Sequence, residues 1–460
     1  MAKKIFVGQK RSKRIPPIRI IVFSFLAMVL IGGGLLTLPF CSNNGTFTPV
    51  EDAMFTATSA TCITGLSVYD TWNYWSPIGQ VIILLLIQIG SLGLITFTSG
   101  FTLFLRQKLG LKDLALARES AGTDSVNVRH LLRTVFIFTF SMELIGALLL
   151  MIRFIPRQGL LGIWTSVFTA ISAFCNAGFD IFNSMGADVA TFTFANDPLV
   201  ALTCTGLIVV GGLGFIVVSE IFLKKMWPRV KRDHTHRLSF HAQVVLVMTG
   251  VLLVAGTAAI MASEYNHSLK DYNFFEKIIV SFFHSACCRT AGFSAIDVSG
   301  LSTITKIISV ILMFIGGSPS STAGGIKTTT FLVLYATVFS VLRGRSGTFF
   351  LKRHIPTKTV FQALTIFICS IVIILITAII MMVSVPHASA IDSLYEATSA
   401  FTTTGFNSAF TPYLNLLSKI ALIVLMFIGR IGPISFGLFF VNKRGRHTES
   451  ILPEGNLLVG

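Results

Sequence analysis

Charge is scarce in this chain: Asp, Glu, Lys and Arg make up 12% of its 460 residues, with 20 acidic side chains against 36 basic ones. At 53% hydrophobic residues and a mean hydropathy of +0.77, the composition excludes a soluble multidomain enzyme and fits a polytopic membrane protein. Cysteine is also sparse. The seven thiols, at 41, 62, 175, 204, 287, 288 and 369, show no paired CxxC spacing, so buried thiols rather than metal ligands are expected. There is no HExxH, and no dinucleotide-binding glycine fingerprint follows a predicted strand. An intramembrane enzyme therefore lacks its ligand or nucleophile set, and any nucleotide control must come from another chain. No small-residue cleavage site follows the first apolar run, which predicts a retained first span.

The basic residues that do occur are grouped. The formal net charge of +16 would suit a nucleic-acid face, but 27 of the 36 Lys and Arg fall in five segments between pairs of apolar runs: 1–19, 106–133, 224–241, 343–358 and 443–446. Basic cytoplasmic loops explain that pattern, with both termini inside, and no nucleic-acid partner is expected. Between them lie runs long enough to cross about 30 Å of hydrocarbon at about 1.5 Å per residue. These are 20–38, 78–105, 134–152, 198–223, 244–262, a sixth beginning near 304, 360–385 and 416–441. Shorter helical stretches at 50–60, 162–174, 274–287 and 390–400 are too short to span and are expected to re-enter the membrane.

Each re-entrant stretch ends on a related motif. The four copies are Thr61-Cys62-Ile63-Thr64-Gly65, Phe174-Cys175-Asn176-Ala177-Gly178, Cys288-Arg289-Thr290-Ala291-Gly292 and Phe401-Thr402-Thr403-Thr404-Gly405, with glycines 113, 114 and 113 residues apart. Regular self-similarity of this kind marks internal repetition. The predicted fold class is an all-α integral membrane protein. Its eight transmembrane helices form four parallel span–pore-loop–span repeats around a pseudo-fourfold axis: 20–105, 134–223, 244–342 and 360–441, flanked by a basic cytoplasmic N-terminus (1–19) and a cytoplasmic tail (442–460). Non-helical backbone survives at membrane depth only when buried or lining a wet cavity. Four such loops on one axis supply carbonyls that replace the water shell of a cation, helped by the negative ends of the half-helices. Beyond the glycines stand Asp70, Asp180 and Asp297, with Asn407 in the fourth repeat. They are read either as a cation-concentrating mouth or as solvated loop acids.

The sixth span is interrupted by Gly316-Gly317-Ser318-Pro319-Ser320-Ser321-Thr322-Ala323-Gly324-Gly325, a composition no helix tolerates. It resembles a phosphate loop only superficially, because Ile326 separates the glycines from Lys327. A broken span at mid-membrane predicts a gate or a site. Arg430 and Lys327 sit within spans, where a charge costs about 2.5–3.5 kcal/mol on insertion scales. They are expected to face the bundle interior, with Glu143 a candidate partner, or in the case of Lys327 to snorkel toward the cytoplasm. Arg289 is expected to brace the third loop from behind. The second spans share glycines in LIQIGSLGLITF, LIVVGGLGFIVV, LMFIGG and LMFIGRIGPISF, which predicts close backbone approach.

Together, the four glycine-ended loops, the Gly-Gly-Ser-Pro…Ser-Thr-Ala-Gly-Gly-Ile-Lys-Thr stretch and the Arg430 span resemble the Trk/Ktr/HKT superfamily of potassium transporters over nearly the whole chain. The eight spans and the tail from Leu452 to Gly460 look most like its bacterial KtrB-type membrane subunit. The resemblance implies potassium uptake across the cell (inner) membrane through a channel-like pore, with K+ as the transported ion at Gly65, Gly178, Gly292 and Gly405. It implies a gate formed by 316–325 with Lys327 and Arg430, and a homodimer in membrane lipid. It also implies a cytosolic nucleotide-binding regulatory ring of RCK/KTN type, with any nucleotide on that separate subunit. A tightly coupled cation symporter is the alternative. Cys62, Cys175 and Cys288 depart from the family's usual threonines, while glycine at position 65 goes with potassium rather than sodium.

Overall fold

The structure is a computed structural model. It describes residues 17–93, 128–185, 197–226 and 238–433, apart from 295, 299, 346, 352, 387 and 409, together with 436–437. The first unit comprises α1 (Pro17–Leu36), α2 (Val50–Cys62), the single turn α3 (Thr71–Tyr74) and α4 (Pro77–Leu92). The second comprises α5 (Val128–Gln158), α6 (Leu161–Cys175), α7 (Pro198–Gly212) and α8 (Phe215–Met226). In the third are α9 (Phe240–Glu264), α10 (Phe274–Cys287), α11 (Thr303–Phe314) and α12 (Thr328–Leu342), and in the fourth α13 (Thr357–Ser384), α14 (Ala390–Thr402) and α15 (Leu416–Ile431). Between the last two units runs an antiparallel hairpin, β1 (Thr348–Phe350) paired with β2 (Arg353–Ile355). The expected all-α class therefore needs one small addition.

Among the described residues, four helices are long and apolar enough to cross a membrane: Arg19–Leu36, Leu132–Gln158, Phe240–Glu264 and Thr357–Ser384. They are the first helices of the four units. The second helices are shorter than the continuous runs the sequence suggests. α7 and α8 together qualify as a span but meet at a bend of 101°. α4 and α15 stop at Leu92 and Ile431, and the remainders of their predicted spans, 94–105, 434–435 and 438–441, lie outside the described residues. α11 and α12 are separated by the glycine-rich stretch, which no helix occupies. Each second helix begins on a side-chain cap: Ser76, Asp197, Ser302 and Asn415 accept from backbone N–H groups of the first turn of α4, α7, α11 and α15, satisfying donors that would otherwise be orphaned.

Packing runs in one direction around the molecule. α4 lies on α6, α7 on α10, α11 on α14 and α15 on α2, so the second helix of each unit supports the short helix of the next and the fourth closes on the first. Polar side chains fasten three of these joints. Trp164 Nε1 donates to Gln80 Oε1 at 2.9 Å, Lys306 pairs with Asp392 at 2.8 Å, and Lys419 pairs with the buried Asp52. Large buried rings, Phe55, Phe168, Phe174, Phe283, Phe293, Phe401 and Phe406 among them, fill the space between short and long helices.

Candidate functional site

The short helices α2, α6 and α14 end identically. Ile63, Asn176 and Thr403, two residues before each glycine, adopt left-handed backbone with φ of 60°, 58° and 53°. Their N–H groups bond Ala60, Ala173 and Ala400 at 3.2 Å each, and the next N–H groups, of Thr64, Ala177 and Thr404, reach back to Ser59, Ser172 and Ser399 at 2.7–2.8 Å. This is the paired closure of a Schellman end, here formed without glycine. A β-branched residue in left-handed backbone is strained, and such strain persists only where surrounding structure enforces it. The third loop differs. Cys288 is still helical, at φ −59°, and both Ala291 and Gly292 donate to the Cys287 carbonyl, at 3.0 and 3.3 Å. Left-handed backbone nevertheless recurs at Thr290, φ 71°, two residues before Gly292.

At the glycines themselves the four loops meet. A Cβ placed on Gly65 would stand 2.5 Å from the carbonyl oxygen of Ala177, and one on Gly178 would stand 2.9 Å from that of Ala291. Likewise a Cβ on Gly292 would strike the Thr404 carbonyl, and one on Gly405 the Thr64 carbonyl. The contacts pass from unit one to two, two to three, three to four and four to one, always onto the residue before the next glycine. Positive φ at all four glycines, 70° to 97°, and this close backbone approach both require a residue without a side chain.

The second helices press on the backs of the loops. The Cα atoms of Gly90, Gly211 and Gly429 lie where a Cβ would collide with the carbonyls of Thr61, Phe174 and Phe401, each four residues before a loop glycine. Three residues further on, Gly93, Gly214 and Gly432 take φ of 74°, 91° and 92° and end or bend the helix. The shared glycines in the second spans thus have two jobs, close approach and helix termination. The repeated Gly-x-x-Gly spelling carried both, although only close approach follows from membrane-helix precedent.

The stretch 316–325 lies beneath the loops and touches three units. Gly316 N–H donates to Ile326 O at 2.9 Å and Thr328 N–H to Gly317 O at 3.0 Å, pinning its two ends together. Ser318 and Thr322 N–H groups bond the carbonyls of Gly212 and Gly211, and Phe215 N–H bonds Ser320 O at 2.8 Å, so the stretch is laced to the break between α7 and α8. Its Gly324 abuts the Thr402 carbonyl and Thr403 side chain of the fourth loop. From the other side Arg430 Nη1 donates to Thr322 O at 2.5 Å, while Nη2 donates to the carbonyls of Gly90 and Ser91 at 2.8 and 3.1 Å. One guanidinium thereby joins the stretch to the first and fourth units. Lys327 Nζ donates to Ala323 O at 2.7 Å, bracing the stretch internally. Arg289 is buried between α10 and α7. Its Nε and Nη2 have no partner among the described residues, and it borders a small cavity with Gly212 and Gly317. Glu143 bonds Gln88 rather than either of the basic residues with which the sequence suggested a pairing.

On the opposite side of the glycines opens a vestibule of about 340 Å³, lined by all four glycines and by Asp70, Asp180, Asp297 and Asn407. Asp70 is not a free acid: it caps α3, and Asn183 Nδ2 donates to it at 2.5 Å. Asp180 is pushed up to about 6 by burial and by Asp70, against the Phe182 N–H that bonds it. The inter-unit ion pairs were missed at the sequence level. A signal existed, since Lys306 and Lys419 follow their loop glycines at one offset, and Asp52 and Asp392 precede theirs at another.

A mainly helical assembly with four membrane-length helices among the described residues defines an integral membrane protein. Sequence comparison agrees. The chain belongs to the TrkH family of cation transport proteins, which it matches over residues 14–447. It is 35% identical to the Ktr system potassium uptake protein B of Vibrio alginolyticus over 96% of this chain and 94% of that one. It is 34% identical both to its namesake in Bacillus subtilis, covering 97% of each, and to the potassium/sodium uptake protein NtpJ of Enterococcus hirae, covering 97% of this chain and 98% of that one. Among solved structures, the potassium transporter TrkH from Vibrio parahaemolyticus shares the fold, with a TM-score of 0.71 over 94% of this chain and 86% of that one, at 14% identity.

Proposed function

We propose that this chain is the pore-forming subunit of a potassium uptake system of Trk/Ktr type. In this reading the chain spans the membrane eight times as four parallel units (20–105, 134–223, 244–342 and 360–441), with both termini cytoplasmic. The filter comprises residues 61–65, 174–178, 288–292 and 401–405, whose carbonyls replace the hydration shell of K+. The stretch 316–325, with Lys327 and Arg430, is the gate beneath it. The observation that carries the reading is the cyclic contact of each loop glycine with the carbonyl of the next unit. Four independent surface turns have no reason to close on one another in that order. The vestibule carboxylates raise the local cation concentration.

A side chain at any of the four glycines must displace a neighbouring carbonyl. Gly65→Ser, Gly178→Ser, Gly292→Ser and Gly405→Ser are each expected to change the preference for potassium over sodium by about ten-fold or more, equivalent to about 1.4 kcal/mol. Fluxes of potassium, rubidium and sodium into liposomes measure it. Parent-like selectivity in all four variants would remove the filter. The same reading includes a homodimer and a cytosolic nucleotide-binding ring on the basic face, and the names of the Ktr relatives speak of a multi-component system. Deletion of 452–460, which lies outside the described residues, is expected to weaken co-purification with that ring. Unchanged binding would reject the tail as its dock.

A further inference from the structure

Glu143 lies at the middle of α5, 5% exposed, in a helix long and apolar enough to cross a membrane. No basic side chain pairs with it among the described residues. Both carboxyl oxygens accept from Gln88 Nε2 of α4, at 3.0 and 3.3 Å. Beside them sits the thiol of Cys175, the last residue of α6, 3.1 Å from Ser91 Oγ and 3.7 Å from both Gln88 Oε1 and Glu143 Oε1. Ser91 Oγ in turn donates to the Gln88 carbonyl at 3.0 Å, and the Ser91 carbonyl accepts from Arg430. A continuous polar chain therefore runs from the stretch at Thr322, through Arg430 and Ser91, to the end of α6 and then to Glu143. At the same distance before their loop glycines the other units carry Leu30, Thr257 and Ser370. A carboxyl in this place is costly, and packing alone would be served better by an apolar side chain.

We infer that Glu143 is a positioning residue for ion selection: by holding Gln88 and Cys175 in register it fixes the second loop against Arg430 and the stretch below. This rests on the filter reading above. The carboxyl acts here as a hydrogen-bonding group, so a glutamine preserves its role and a leucine of similar volume does not.

The test compares Glu143→Gln, Glu143→Leu and Gln88→Leu with the parent in potassium-limited liposome flux, with Gly178→Ser as control. The readouts are the potassium-to-sodium preference and the half-saturating potassium concentration, each referred to the folded, inserted fraction. Glu143→Gln is expected to stay within about two-fold of the parent, while Glu143→Leu and Gln88→Leu shift preference or half-saturation by about five- to ten-fold. A merely structural role would lower the folded fraction without moving either readout. If Glu143→Leu does not insert, Gln88→Leu decides from the other side of the bond. Parent-like readouts in the leucine variants, or a glutamine variant that behaves like leucine, would overturn the inference. If Gly178→Ser is itself parent-like, the filter reading fails at the second loop. If Gly178→Ser loses selectivity while the leucine variants keep it, only the role of Glu143 falls.

Discussion

The third unit and the other three are built from one plan but solve the same problem differently. In units one, two and four a short helix ends in a strained left-handed residue and two reaching hydrogen bonds. A glycine of the following helix then presses directly on the loop from behind. In unit three the short helix ends five residues before its glycine instead of three, Ala291 and Gly292 both donate to one carbonyl, Cys287 O, and the supporting helix is interrupted where the pressing glycine would stand. Gly316 and Gly317 meet Gly324 and Ala323 of their own stretch instead of a loop carbonyl. The interrupted helix becomes the segment that touches the second and fourth loops. The difference teaches that backbone contact and hydrogen bonding are divided between units as means of support. Three hold backbone against backbone, while the remaining unit carries a non-helical segment secured by hydrogen bonds.

The sharpest way to break this comparison is to load the units held by backbone contact. Gly429→Ala and Gly211→Ala place a methyl group against the Phe401 and Phe174 carbonyls, and each is expected to lower potassium uptake by about ten-fold or more, since backbone cannot yield as a side chain can. Gly212→Ala, one residue away, would put its Cβ 3.6 Å from the Asn176 side chain, an ordinary contact, and uptake should stay close to that of the parent. Equal tolerance at positions 211 and 212 in a potassium-limited growth assay would show that the close approach does not matter.

The next effect tests the hydrogen-bonded unit. Arg430→Ala removes the three hydrogen bonds through which the guanidinium ties Thr322 of the stretch to Gly90 and Ser91. If the stretch is the gate proposed above, ion flux is expected to rise by about three-fold or more, because charge-assisted bonds of about 1.5–3 kcal/mol each hold it in place. Excision of 316–325 should act in the same direction. Unchanged flux in both variants, folded and inserted, would reject the stretch as a gate.

The smallest effect concerns the mouth. Two residues after their glycines the units carry Ser67, Asp180, Ser294 and Asn407, so only the second presents a carboxyl there. Because burial raises Asp180 to about 6, it is charged above that pH and neutral below it. Initial uptake at limiting potassium should fall by about two-fold as pH drops from about 7.5 to about 5, and Asp180→Asn should flatten that dependence. An unaltered pH profile in the variant would assign the titration to another group.

The repeat, the four glycines, the helix-breaking stretch and the membrane class were all legible in the sequence, because each rests on local chemistry. Apolar length sets the spans, and glycine and proline forbid helix. Four evenly spaced copies force internal symmetry. Their strength was also their limit. The apolar runs 78–105 and 198–223 read as continuous helices, since Gly93 and Gly214 cost a helix little on paper. Only a backbone turned to positive φ reveals the ends at Leu92 and Gly212. Glu143 and Arg430 were visible as charges in apolar helices, but their partners were not: Gln88 lies 55 residues from Glu143 and Gly90 lies 340 from Arg430. The sequence by itself determined which residues must come near the axis and which segment cannot be helical. Tertiary structure alone decided which carbonyl each glycine meets, that Asp52 pairs with Lys419 across 367 residues to close the ring, and that one unit of four gives up its support. Those choices depend on how the units pack around the axis, a distance in space that periodicity along the chain does not encode.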